Sequence, residues 1–213
     1  MLQTLLTNPL SFLLRIPGLI LALSMHEFAH GFAAYKMGDN TAKYNGRLSL
    51  NPFSHLDPVG TLCLFLFRFG WAKPVPINPY NFKSRRAGII TVSLAGPLMN
   101  FLLAFVSASL LAVVIRFMAI SKLQEFLLII LSETIAINIG LGCFNLIPIP
   151  PLDGSKVLLE LLPYRYRDFM YQLERYSSLI LLLALWTGAL NPILSRMYAL
   201  VYIPIEFILG MIL

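Results

Sequence analysis

The sequence predicts an all-α polytopic membrane protein: a bundle of about five to six transmembrane or re-entrant helices, with a small extended or β element in one loop. Composition and the pattern of apolar runs carry that prediction. Hydrophobic residues fill 58% of the 213 positions and charged residues only 12%, and the mean hydropathy is +0.76. A soluble domain runs nearer 45–50% apolar and about 25% charged. A chain of this length leaves roughly a quarter to a third of its surface exposed, so the apolar excess has to meet lipid. Several apolar runs are long enough to cross about 30 Å of hydrocarbon. This composition excludes a soluble enzyme, a disordered tail, a disulfide-stapled secreted module and a nucleic-acid reader. Cys63 and Cys143 lie far apart in apolar runs, which gives neither a disulfide framework nor a cysteine metal cluster.

Taken in order, clear spans are expected at about residues 10–35, 87–115 and 126–150, and two shorter ones at about 178–194 and 197–213. Between the first and second, residues 59–71 form an apolar run of only 13 residues that carries Arg68 and follows His55, Asp57 and Pro58. That is too short to span and reads as a re-entrant or interfacial hairpin. In the same loop, residues 44–50 and 72–78 read as short extended pieces. Pro74 and Pro76 have no N–H to donate, so the second is an edge strand or no strand at all. Internal repeats and a stretch long enough for an appended soluble domain are both lacking. The expectation is one membrane-embedded domain over residues 1–213, with a core at about 10–160 and C-terminal helices at about 178–213.

Charge sets the orientation. If residues 59–71 do not cross, one loop holds Lys36, Lys43, Arg47, Arg68, Lys73, Lys83, Arg85 and Arg86, and a second on the same side adds Lys156, Arg165, Arg167 and Arg175. Twelve of the 16 basic residues then share one side, which the positive-inside rule makes cytoplasmic. The first apolar run has no Lys or Arg ahead of it and ends in ionisable residues, unlike a removable signal.

Those ionisable residues carry the chemistry. The first span ends in Met25-His26-Glu27-Phe28-Ala29-His30-Gly31. Residues four apart share a helix face, so His26 and His30 can offer two imidazoles to one metal, with Glu27 one step round beside the water to be activated. Ionisable residues near the bilayer centre cost about 2.5 kcal/mol or more each and mark function by default. A catalytic zinc takes three protein ligands and keeps one position open. His55 is one candidate for the third ligand, although a polar loop residue explains it equally well. Asp153 is the stronger candidate, at the end of the third span, where Pro148, Pro150 and Pro151 break the helix. Topology agrees: with residues 59–71 not crossing, the first and third spans run the same way and bring both sets of ligands to the cytoplasmic end.

In these motifs the chain resembles the site-2 proteases, intramembrane zinc metalloproteases. The likeness rests on His26-Glu27-Phe28-Ala29-His30, on Ala95-Gly96-Pro97-Leu98-Met99-Asn100, and on residues 145–154, an N-x-x-P-x-x-P-L-D-G segment. His55-Leu56-Asp57-Pro58 and Trp71-Ala72-Lys73-Pro74-Val75-Pro76 are similar to the compact bacterial branch, without PDZ or CBS domain. The resemblance implies one Zn²⁺ per chain on His26, His30 and Asp153, Glu27 as catalytic base, and Asn145 as a donor to the scissile carbonyl oxygen. For Asn100 and Asn138 the expectation is interhelical support.

The expected function is a multi-pass zinc endopeptidase of the cell membrane. It would cut transmembrane segments of other membrane proteins near the cytoplasmic face, in regulated intramembrane proteolysis. Its partners are membrane-protein substrates and the bilayer, without nucleic acid; the oligomeric state is open. The alternatives are a metal transporter and a non-catalytic scaffold, and Glu27 discriminates, since neither needs a base beside two ligating imidazoles.

Overall fold

The computed structural model describes residues 9–60, 63 and 72–212. Most of the expected hairpin at 59–71 lies outside the described residues. The first helix, α1 (Pro9–Lys36), is about 42 Å long at 1.5 Å per residue. It stops where Gly38 takes φ +110: the Asp39 N–H reaches the Ala34 carbonyl and the Gly38 N–H that of Tyr35 (2.9 and 3.1 Å), a Schellman closure that needs a residue tolerant of left-handed backbone. Helix α2 (Arg85–Phe117) and helix α3 (Lys122–Asn145) follow, about 50 and 36 Å long. The Ser121 hydroxyl caps α3 by accepting the Gln124 N–H. Pro148, Pro150 and Pro151 forbid continuation past the first turn after Asn145, so the third span ends five residues earlier than expected. Helix α4 (Asp153–Leu161) restarts at once, with Asp153 in its first turn.

Beyond it come the amphipathic α5 (Arg167–Arg175), the apolar α6 (Ser177–Trp186) and α7 (Asn191–Ile212). The run at 178–194 corrects to a helix of ten residues, about 15 Å and too short to span. Gly188 at φ +71 closes it as Gly38 closes α1, with Ala189 N–H on Ala184 O and Gly188 N–H on Leu185 O. Among the described residues, α2, α3 and α7 are long and apolar enough to cross a membrane; α1 has the length but carries the ionisable residues.

Helices α1, α2 and α3 pack on one another, α4 packs against α2, and α7 against α2 and α3. The core is built from small and branched side chains: Ala104 and Ala108 on α2, Ile135, Ile139 and Cys143 on α3, and Ile205 on α7. Small residues let backbones approach where no hydrophobic force drives helices together in lipid. On the far side from the motifs, Arg15 of α1 pairs with Glu133 of α3 at 2.9 Å.

The expected β element reduces, among the described residues, to one isolated antiparallel bridge between Leu56 and Ala72, beside a 2.9 Å bond from the Lys73 N–H to the His55 carbonyl. Residues 44–50 are not extended throughout, because they begin in a helical turn, Thr41–Tyr44. They join the second stretch through a side chain: the Arg47 guanidinium donates to the carbonyls of Lys73 and Pro74 (2.8 and 3.3 Å). Pro74 and Pro76 have no N–H to donate, so no ladder runs through them.

Asp39, fully buried, ties this loop to the end of α1. It accepts from the Thr41 hydroxyl and N–H, the Asn78 N–H and the Asn81 amide. Burial alone would raise its pKa, but these donors, led by the Thr41 hydroxyl, hold the carboxyl below its ordinary value.

Candidate active site

The two histidines of α1 lie one turn apart with edge-on rings. Each is aimed by a hydrogen bond on its Nδ1. His26 Nδ1–H donates to Asn100 Oδ1 at 2.6 Å, and His30 Nδ1–H to the Val92 carbonyl at 2.7 Å, both on α2. The tautomer follows from the acceptors. The Val92 oxygen can only accept, and the Asn100 amide nitrogen is committed elsewhere, to the Ala22 carbonyl (3.2 Å) and Asn138 Oδ1 (2.9 Å). With the protons on Nδ1, both Nε2 atoms present lone pairs, and they lie 3.0 Å apart.

Asp153 completes the convergence from the opposite side. Its Oδ2 is 3.2 Å from His26 Nε2 and 3.1 Å from His30 Nε2, while Oδ1 takes the Lys156 ammonium at 3.1 Å. Gly154 lets this turn fold back on the end of α3: a Cβ there would stand 2.2 Å from the Leu146 carbonyl oxygen. His26, His30 and Asp153 are all buried and together form a group able to hold a metal ion.

Three acceptor atoms within 3.2 Å repel one another unless a cation lies between them. Ligand atoms on a tetrahedral zinc at 2.0–2.1 Å sit about 3.3 Å apart, close to the spacing seen. Gly96 supplies the cradle: a Cβ at that position would lie 2.5 Å from His30 Nε2 and 2.6 Å from His26 Nε2. The donor set and the space beside it therefore fit Zn²⁺. Hydrogen bonds on Nδ1 of the kind that Asn100 and Val92 accept are what fix imidazole ligands on a metal.

The group opens into a cavity of about 700 Å³ lined by Glu27, Asn145 and Lys156 and otherwise largely by apolar side chains such as Val75, Ile77, Phe144 and Leu181. Glu27 lines the cavity next to the histidines, and its Oε2 accepts the Val75 N–H at 3.0 Å. The non-helical stretch 73–78 thus runs directly past the carboxylate. Asn145 also lines the cavity; one N–H of its amide donates to the Leu141 carbonyl at 3.0 Å, which leaves the second N–H of that nitrogen.

Each expected site residue except His55 faces this one cavity. His55 is fully buried and hydrogen-bonds through Nε2 to the Ser49 carbonyl at 2.7 Å, outside the metal group. Sequence reasoning assigned Asn100 and Asn138 to packing between helices. They do link α1, α2 and α3, but Asn100 also orients the His26 imidazole. Its position four residues after Gly96, which faces the histidines, was the signal available. The contact of Val75 with Glu27 had no local signal.

A family model described as Peptidase family M50 matches residues 115–187, a span that includes Asn145 and Asp153. The chain is 44% identical over 167 residues to a Bacillus subtilis protein named "Putative zinc metalloprotease YwhC", across 77% of this chain and 76% of that one. It is 31% identical over 197 residues to a Mycolicibacterium smegmatis protein named "Putative zinc metalloprotease Rip2", across 84% and 69% of the two chains. A Mycobacterium tuberculosis protein of the same name is 27% identical over 184 residues. No solved structure gives a significant match.

Proposed function

The chain belongs to peptidase family M50 and is a membrane zinc metalloprotease, and on that premise we propose that it hydrolyses peptide bonds within or near the transmembrane segments of other membrane proteins, in regulated intramembrane proteolysis at the cytoplasmic face of the cell membrane. The observation that supports this reading is the meeting of both Nε2 atoms with Asp153 Oδ2 at 3.0–3.2 Å at the wall of a largely apolar cavity, with Glu27 beside them.

Residues His26, His30 and Asp153 would hold the zinc. When bound, it supplies Lewis acidity, polarising the scissile carbonyl and lowering the pKa of a water from about 15.7 toward about 7. Glu27 accepts the proton of the attacking water and delivers it to the leaving amine. The Val75 N–H holds Oε2 of that carboxylate, so Oε1 is the oxygen free for the proton. The second amide N–H of Asn145 donates to the developing oxyanion, an interaction worth on the order of 3 kcal/mol in such sites. Lys156 holds Oδ1 of Asp153 and so keeps Oδ2 turned to the histidines.

A transmembrane helix shields its own peptide bonds, so the substrate has to unwind locally, and its backbone then needs protein partners. Of the two loop stretches suited to receive an added strand, residues 75–77 are favoured over 47–50. Val75 and Ile77 line the cavity, and with the Val75 N–H given to Glu27 it is the Ile77 N–H that meets the substrate backbone. Proline at Ile77 should then impair cleavage and spare zinc; unchanged cleavage would rule this strand out.

Purified wild type and Glu27→Gln, assayed in detergent against a panel of tagged single-span substrates with bound zinc measured in both, test the function. The expected result is zinc in both and product from the wild type alone. Equal product from both would point to a contaminant and overturn the assignment.

A further inference from the structure

Ser93 stands one turn before Gly96 on the same face of α2, the face that lies against His26 and His30. It is 3% exposed, and the little surface it keeps lines the cavity shared by Glu27 and Asp153. Helical serines in an apolar setting normally return their hydroxyl to the carbonyl four residues earlier. Ser109 and Ser132 do so, on Phe105 and Leu128, and Thr134 does so on Ile130. Ser93 does not: among the described residues its hydroxyl has no hydrogen-bond partner, and the side chain opens on the cavity. Its backbone is short of a partner as well, because Pro97, four residues on in the same helix, has no N–H to give the Ser93 carbonyl. A hydroxyl left without a protein partner on the wall of a cavity is available to a ligand that enters it.

From this placement we infer that Ser93 is a substrate-binding residue, its hydroxyl hydrogen-bonding the backbone of the unwound substrate segment on the α2 wall of the cavity that Val75 and Ile77 also line. The inference rests on the proteolytic reading above. The chemistry suits a peptide: a hydroxyl both donates and accepts, so it can meet either the N–H or the C=O of an extended strand without selecting a side chain. It also fits the site, since the other groups along that wall, Ile89 and Val92, offer a substrate backbone no side-chain partner.

Two measurements decide it. Steady-state cleavage of a tagged single-span substrate by wild type, Ser93→Ala and Ser93→Thr, each with bound zinc determined, should show a fall of about tenfold in kcat/KM for the alanine variant with zinc unchanged, and recovery of most of that loss with threonine. Full activity in Ser93→Ala, or loss of zinc in it, overturns the inference. Should the alanine variant not fold, disulfide trapping carries the decision. Ser93→Cys in a Glu27→Gln, Cys63→Ser background is exposed to substrates bearing single cysteines along the cleaved segment, with Ile77→Cys as the companion. Adducts of Ser93→Cys within a few residues of the cleaved bond are expected. Adducts at Ile77→Cys but none at Ser93→Cys overturn the role of Ser93 and leave the protease reading intact. A wild type that cuts no substrate sinks both together.

Discussion

Asn100 fixes which nitrogen of His26 faces His30 and Asp153. Its amide is fully buried and completely used: Oδ1 takes the His26 proton and Nδ2 gives to Ala22 and Asn138. Asn100→Leu removes the acceptor and frees the ring to turn or change tautomer. Outer-shell partners of this kind typically carry 10–100-fold in metal affinity, so zinc affinity by competition with a chelator should fall by about that factor while helicity stays. Gly96→Ala is harsher, because the added methyl would stand 2.5–2.6 Å from both Nε2 atoms. Zinc should be lost outright, because the methyl fits only if both imidazole tips swing away from Asp153. His26, Glu27, His30 and Asp153 were legible in the sequence because ionisable groups in apolar runs are costly and so conspicuous. Asn100 was visible as a polar residue, but its partner lies 74 positions away and no local pattern names it. Ser93 was unremarkable in sequence; its meaning comes from an absent hydrogen bond.

Among the elements, the loop from Met37 to Ser84 is where sequence and structure diverge. Short extended stretches are weak evidence for a sheet when prolines interrupt them, and the chain satisfies its backbone here by side chains: Arg47 on Lys73 and Pro74, Glu27 on Val75, Asp39 on Asn78. Asp39 gives this arrangement a pH dependence. Its pKa is lower in the folded protein than its ordinary value of 3.8, so the stability it adds is fully present above about pH 4 and is lost as pH falls through the lower folded value. Asp39→Asn should therefore lower thermal stability in detergent at pH 7, and the gap to wild type should close as pH drops below about 4. A gap that stays constant across that range would show that the carboxylate charge is not what matters. The end of α6 was misplaced for a different reason: Gly188 sits in an apolar run whose hydropathy reads on unbroken, while its left-handed conformation stops the helix.

For the whole molecule, the convergence of ligands from α1 with Asp153, just beyond α3, requires those two helices to run the same way, with α2 returning between them. Topology by charge count and topology by metal ligands were independent in the sequence, and the three helices pack on one another. Cysteines placed at Tyr80 and at Ile120, which are 84% and 99% exposed, should label from opposite sides of the membrane, Tyr80 from the cytoplasm. Labelling of both from one side would contradict the fold as well as the orientation. The most direct test of the account is the zinc itself, measured as metal per chain with X-ray absorption of the bound ion, in wild type, His30→Ala and Asp153→Ala. The account predicts one zinc per wild-type chain, with two imidazole nitrogens and oxygen in its first shell, and loss of most of that zinc in either variant. Zinc retained at wild-type level in both variants would contradict it, because the ion would then be held somewhere other than the point where α1 meets the turn after α3.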